Sequence, residues 1–135
     1  MDQLTWHEAL DVGVESMNHE HKDLIGAMNA LQALNDRGAS KRDLVEGFDS
    51  LLNLVQNHFA DEEALMKEHG FPGLEQHKKL HKSLLHSVES YEEEFLRSVS
   101  GRIPLAVFDF FRMWLTTHIM IVDKKYGEFL KESHS

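Results

Sequence analysis

With 135 residues, 41% of them hydrophobic and 27% charged, the chain can bury one core and is short for two. Its 14 Lys and Arg against 23 Asp and Glu leave a formal charge of −9, which repels nucleic acid and anionic membrane surfaces, and no basic patch stands out in the sequence. The absence of cysteine excludes disulfides, thiolate catalysis, cysteine-based zinc sites and iron–sulfur clusters, so any metal must rest on nitrogen and oxygen.

The N-terminal Met1-Asp2-Gln3-Leu4-Thr5-Trp6-His7 has neither a basic leader nor an apolar run, which reads as a cytoplasmic protein. Residues 1–17 form an irregular arm whose Trp6, Leu10, Val12 and Val14 can pack across a bundle end. Four helical segments follow: about 18–37, closed by Asp36-Arg37-Gly38; 41–69, opened by Ser40 with Asp43 three residues on and closed by Gly70 and Pro72; 74–98; and 104–132, entered through Ser100-Gly101 with Pro104 in its first turn. Sparse β-branched residues and two prolines favour helix over sheet. The apolar stretch Ile103 to Val122 is broken by Pro104, Asp109, Arg112 and His118, and reads as a core helix rather than a membrane span. Such short connections run successive helices antiparallel, so residues 1–135 are expected to make one all-α domain, an up-down-up-down four-helix bundle.

Steps of three and four residues trace an apolar stripe on each helix. These are Met17, His21, Leu24, Met28 and Leu31; then Leu44, Phe48, Leu51, Val55, His58, Glu62 and Leu65; then Leu74, His77, His81, Leu84, Val88, Tyr91 and Phe95; then Val107, Phe111, Trp114, His118, Val122 and Phe129. Every stripe carries a histidine. A lone histidine on an apolar face is more often a hydrogen-bonded core residue than a ligand, but antiparallel order brings five of them to similar depth. Leaving them unsatisfied would cost about 1–3 kcal/mol for each polar group.

Residues four apart on a helix have Cβ atoms about 5–6 Å apart on one face, so His77 with His81, and His58 with Glu62, can each serve one centre. Imidazole and carboxylate alone leave zinc, copper, nickel and iron open. Five histidines and two carboxylates exceed the four ligands of a tetrahedral zinc, which makes two metals the economical count. The Glu-x-x-His pairs of ferritin-like oxidases are absent, since none of the ten histidines has Glu three residues before it.

The order H, H-x-x-x-E, H-x-x-x-H, H-x-x-x-x-D, carried by His21, by His58 and Glu62, by His77 and His81, and by His118 and Asp123, resembles the hemerythrin family, specifically its bacterial single-domain members, over nearly the whole chain. Trp6, Phe59, Glu63, the Gly70-Phe71-Pro72 turn and Trp114 add to the likeness. The resemblance implies that His77, His81 and His118 bind one iron and His21 and His58 the other, with Glu62, Asp123 and an oxo or hydroxo group bridging them. It also implies that the ferrous pair binds dioxygen reversibly at the iron held by fewer histidines, becoming ferric as it does, for oxygen transport, storage or delivery to an oxygen-consuming enzyme. The chain is accordingly expected to bind oxygen and not to be an enzyme, and separately is expected to be a monomer. Alternatives are an oxygen, redox or nitric-oxide sensing module, a di-iron peroxidase or oxidase, and a plain bundle with hydrogen-bonded core histidines.

Two ligand positions rest on the motif more than on periodicity. Asp123 follows His118 by five residues, about 140° around an ideal helix, so it reaches the same centre only by a lateral approach or a π-type widening. Asp61 and Glu63 flank Glu62, and spacing alone separates them poorly. His19 competes with His21, but only His21 continues the stripe. His7, His69, His86 and His134 fall outside the motif and read as solvated or capping residues.

Overall fold

Helix starts and stops follow the capping chemistry of the chain. In the computed structural model, which describes residues 5–133, the Ser40 hydroxyl accepts a hydrogen bond from the Asp43 amide at 3.1 Å and opens a helix at Lys41. Gly38 and Gly70, at φ of 81° and 66°, supply the left-handed residues that turn the chain after the first and second helices. The elements are a short 3-10 turn Glu8–Leu10, α1 Glu15–Asp36, α2 Lys41–Glu68, α3 Leu74–Arg97, α4 Leu105–Thr117, a π-helical turn His118–Asp123 and α5 Lys124–Ser133. The last three form one rod, so the architecture is an antiparallel four-helix bundle with no strand among the described residues. Helix α1 begins at Glu15, inside the stretch expected to be arm, because Asp11, Asn18 and Val12 lock the approach. Val12 N donates to Asn18 Oδ1 at 3.1 Å, and Asn18 Nδ2 donates to Asp11 Oδ1 at 2.8 Å.

The arm covers one bundle end: Leu10 and Val12 are buried, and Trp6 and Val14 pack against the core. At the other end Asn35 clamps the loop between α3 and α4, donating to Ile103 O at 3.0 Å and accepting from Ile103 N at 2.8 Å. The arm's path depends on Gly127, where a Cβ would stand 1.8 Å from the Val12 carbonyl oxygen. Gly127→Ala is therefore expected to lower stability by about 1–3 kcal/mol through overpacking. Gly26→Ala on α1, where nothing lies within 4 Å of the added carbon, should be neutral or stabilising by up to about 1 kcal/mol. Thermal unfolding of the two variants checks the contrast.

The stripes of α1 and α2 are buried much as the periodicity requires, with Met66 deeper than the half-buried Leu65. The fourth stripe departs from the expectation after His118. Val122 and Phe129, read as core, are only half-buried, whereas Asp123 and Tyr126 are 1% exposed. The cause is the π turn, closed by Lys124 N donating to Ile119 O five residues back. One extra residue in a turn rotates everything beyond it to a new phase. By length and hydropathy the rod Leu105–Glu132 could cross a bilayer (mean hydropathy 1.4 in its most apolar window), but its inner face carries His118 and Asp123, and it serves as a wall of the bundle.

Candidate metal centre

Helix α1 contributes His21, α2 His58 and Glu62, α3 His77 and His81, and the π turn His118 and Asp123. All seven are buried, none more than 4% exposed. Their ligand atoms fall into two overlapping sets, Glu62 with His77, His81 and His118, and Glu62 with His21, His58 and Asp123. Within each set the atoms lie within 4.8 Å of one another. The two carboxylates stand between the sets and divide their oxygens. Glu62 turns Oε2 to His58 Nε2 at 3.2 Å and Oε1 to His77 and to His81 Nε2 at 3.1 Å. Asp123 turns Oδ2 to His21 Nε2 at 2.9 Å and Oδ1 to His118 and His77 Nε2 at 3.0 and 3.2 Å. The π turn carries Asp123 inward to this position, which an ideal α-helix would have denied it.

These atoms are close without being mutually satisfied. His21 Nε2, His58 Nε2, Glu62 Oε2 and both oxygens of Asp123 make no directional hydrogen bond among the described residues. Buried donors and acceptors are normally paired, so lone pairs gathered around two shared centres are the signature of a ligand set. Nitrogen and carboxylate donors with no sulfur suit iron in this count.

The metal-free centre stores protons. Burial works against the charged form of His58, but Glu20 and Glu62 outweigh it and raise its pKa to about 10. Burial likewise opposes protonation of His118, and Asp123 with Glu62 lifts it to about 9. His77 is raised by the same two carboxylates against its own burial. Burial pushes Glu62 up, yet the histidines around it, His118 foremost, hold it well below the usual carboxylate range. Asp123 is pushed up by burial and by Glu62 and brought down by His118 and His21, with a net lowering.

The ambiguous candidates separate by burial. His19 is exposed and pairs with Asp23 at 3.6 Å, while His21 is fully buried. Asp61 lies at the surface, where a hydrogen bond to Glu20 raises its pKa. His7 and His86 are exposed. His69 Nδ1 donates to Leu65 O at 2.9 Å at the end of α2, and His134 lies outside the described residues.

Two carboxylates stand behind the histidines in an orienting role that spacing does not reveal: Glu20, and Glu63, which the sequence offers only as part of the family likeness and as a neighbour of Glu62. His58 Nδ1–H donates to Glu20 Oε1 at 2.8 Å, and His81 Nδ1–H donates to Glu63 Oε2 at 2.8 Å. Each fixes a tautomer whose Nε2 lone pair faces the centre. The only signal in the sequence was adjacency, since Glu20 precedes His21 and Glu63 follows Glu62. The Phe59 ring also stacks on His81 at 3.8 Å between centroids and 4° between planes, holding the imidazole from a second side. Glu63→Ala is expected to leave the fold intact and weaken iron retention about 10–100-fold, read by competition with a chelator. Retention equal to the unsubstituted chain would remove the orienting role.

The family profile of the Hemerythrin HHE cation binding domain matches residues 12–130. The chain is 26% identical to a bacteriohemerythrin of Campylobacter jejuni over 133 residues, covering 96% of this chain and 97% of that protein. It is 30% identical to the myohemerythrin of Theromyzon tessulatum over 121 residues, covering 90% of this chain and 88% of that one. A crystal structure of wild-type hemerythrin superposes with a TM-score of 0.82 at 27% identity, over 94% of this chain and 97% of the other. A hemerythrin mutant superposes at 0.83 and 27%, over 95% and 97%.

Proposed function

Because this chain belongs to the hemerythrin family, we propose that it binds dioxygen reversibly at a non-haem di-iron centre and serves oxygen transport, storage or delivery to an oxygen-consuming enzyme. The observation that carries the reading is the division of the two carboxylates, each with one oxygen toward each histidine set. In this proposal His77, His81 and His118 would hold one iron and His21 and His58 the other, and Glu62 and Asp123 would serve both. Iron held there would supply the electron pair that dioxygen takes up and returns.

The protein's own part is to shape and dry the centre. With three histidines on one side and two on the other, the side of His21 and His58 offers fewer protein donors and would be the one left open to dioxygen. Glu20 and Glu63 keep protons on the outer nitrogens of His58 and His81, so these rings enter as neutral donors. Phe59 and Trp114 pack against the imidazoles and keep bulk water away from the centre. The spare carboxyls Glu20, Asp61 and Glu63 lie outside the histidine ring rather than inside it. Among the described residues no further acid is then placed to deliver protons to reduced oxygen, which favours release over turnover and binding over catalysis. The test is an optical titration: the anaerobic, reduced, iron-loaded protein should gain visible absorption with oxygen and lose it on deoxygenation. A spectrum that does not return, or steady consumption of peroxide, would refute reversible binding.

A further inference from the structure

Two shallow depressions lie where α3 meets the last rod, and a third, on α3 itself, adjoins them. The central one, of about 350 Å³, is walled by Leu80, Leu84, Phe110, Met113 and Val122, with His118 among its lining residues. A second, of about 550 Å³, shares Ser83 with it and brings Lys79, Lys82 and His86. A third, of about 260 Å³, shares Leu80 and Val122 and brings Lys125 and His77. The exposed apolar groups are large, with Met113 at 72% and Leu80 at 39% exposure. Glu89 is the carboxylate that lines these depressions, and Lys78 is tied to Glu75 at 3.9 Å. In a chain of net charge −9 this face therefore combines an apolar centre with a lysine rim, although no basic patch was visible along the sequence. Contiguous apolar surface with a charged rim is the anatomy of a protein docking site, and the sign of the rim selects an acidic partner.

The same face lies over the three-histidine set. His118 and His77 line the depressions, and the inner nitrogen of each lies 3.0 and 3.2 Å from Asp123 Oδ1. From this surface one imidazole ring separates a bound partner from the centre, on the side opposite to that assigned to dioxygen. A ferrous pair that loses its electrons to oxygen without recovering them is left ferric and unable to bind again. Its burial keeps a protein reductant from touching it directly.

We propose that this face docks a small acidic one-electron carrier protein, which returns the ferric pair to the ferrous state through the His77 and His118 rings. The proposal rests on the di-iron reading above. Two carriers dock in turn, each is oxidised by one electron, and two ferric ions become ferrous; an unprotonated bridging oxygen takes up one proton from water. No bond within the chain is made or broken.

The probe is a plant-type ferredoxin, an acidic, low-potential one-electron carrier. Mixed anaerobically in its reduced form with the ferric, iron-loaded protein, it should reduce the centre at a rate that falls with added salt. Lys79→Glu combined with Lys82→Glu, and separately Met113→Glu, should each slow that reduction about tenfold or more at low salt. Calorimetric binding of the oxidised ferredoxin should weaken in step. Dithionite, which needs no docking, should reduce all variants equally, and their iron content should match. Unchanged ferredoxin rates and affinities in the variants would overturn the proposal. So would a dimer in solution that Met113→Glu dissociates, since the face would then belong to a second copy of the chain. Failure of dithionite to change any spectrum would sink the iron reading and the electron role with it, whereas charge-dependent ferredoxin binding in that case would uphold the docking surface alone.

Discussion

His77→Ala is expected to abolish the loading of about two irons per chain that the ligand count calls for. Its inner nitrogen lies beside both Glu62 Oε1 and Asp123 Oδ1, so its loss removes the donor these two oxygens share and leaves Glu62 Oε1 to His81 and Asp123 Oδ1 to His118. Those carboxylates are fully or almost fully buried, and a buried carboxylate that loses one of its charge partners is destabilised or protonates. His86→Ala removes an exposed imidazole from the same helix and should leave iron content unchanged. Elemental analysis of the two proteins, loaded under identical anaerobic conditions, makes the comparison. Equal iron in both would sink the ligand assignment.

The second large effect is on the metal-free chain. Iron that binds only the folded state stabilises it by RT ln(1 + [L]/Kd), about 4 kcal/mol at a thousandfold excess over Kd. Stripping it should therefore lower Tm by on the order of 10–20 °C for a domain of this size. The pH dependence has a definite sign. In the metal-free protein the pKa of His58 rises from its ordinary 6.5 to about 10, and that of His118 to about 9. Their protonation stabilises the fold fully below pH 6.5, and this contribution is lost as pH rises through 9 and 10. Metal binding needs these imidazoles neutral, so it releases protons and strengthens over the same range. The metal-free protein should lose stability between pH 7 and 10, while the difference in Tm between loaded and stripped protein widens. Thermal melts of both forms at pH 7 and 9.5 measure this directly; a narrowing difference contradicts the proton-storing centre.

The fold was legible because helix periodicity and caps act locally. Ser40, Gly70 and Pro104 stand where the second helix starts, the second turn closes and the last rod begins. The placement of His21, His58, Glu62, His77, His81 and His118 on interior faces also followed from steps of three and four. Asp123 did not follow from them. Its inward position depends on the π turn, and the same turn misled the reading beyond it, placing Val122 in the core and overlooking Tyr126. A periodic extrapolation cannot foresee a change of phase, because one additional residue in a turn leaves no mark in composition.

What the sequence determined by itself is the helical class, the four stripes and the set of donors they carry, since these depend on contacts within one turn of one helix. What only the tertiary structure decided is everything that needs two helices at once. Glu20 lies on α1 and its histidine on α2; Glu63 lies on α2 and its histidine on α3. The lysines of α3 and α5 meet around an apolar groove only after packing. The physical reason is range: capping and periodicity act over a few residues, whereas hydrogen bonds to histidine nitrogens and the summed field of a surface depend on distance in space. The same holds for the two-sided division of Glu62 and Asp123, which exists only once four helices bring their donors to one level.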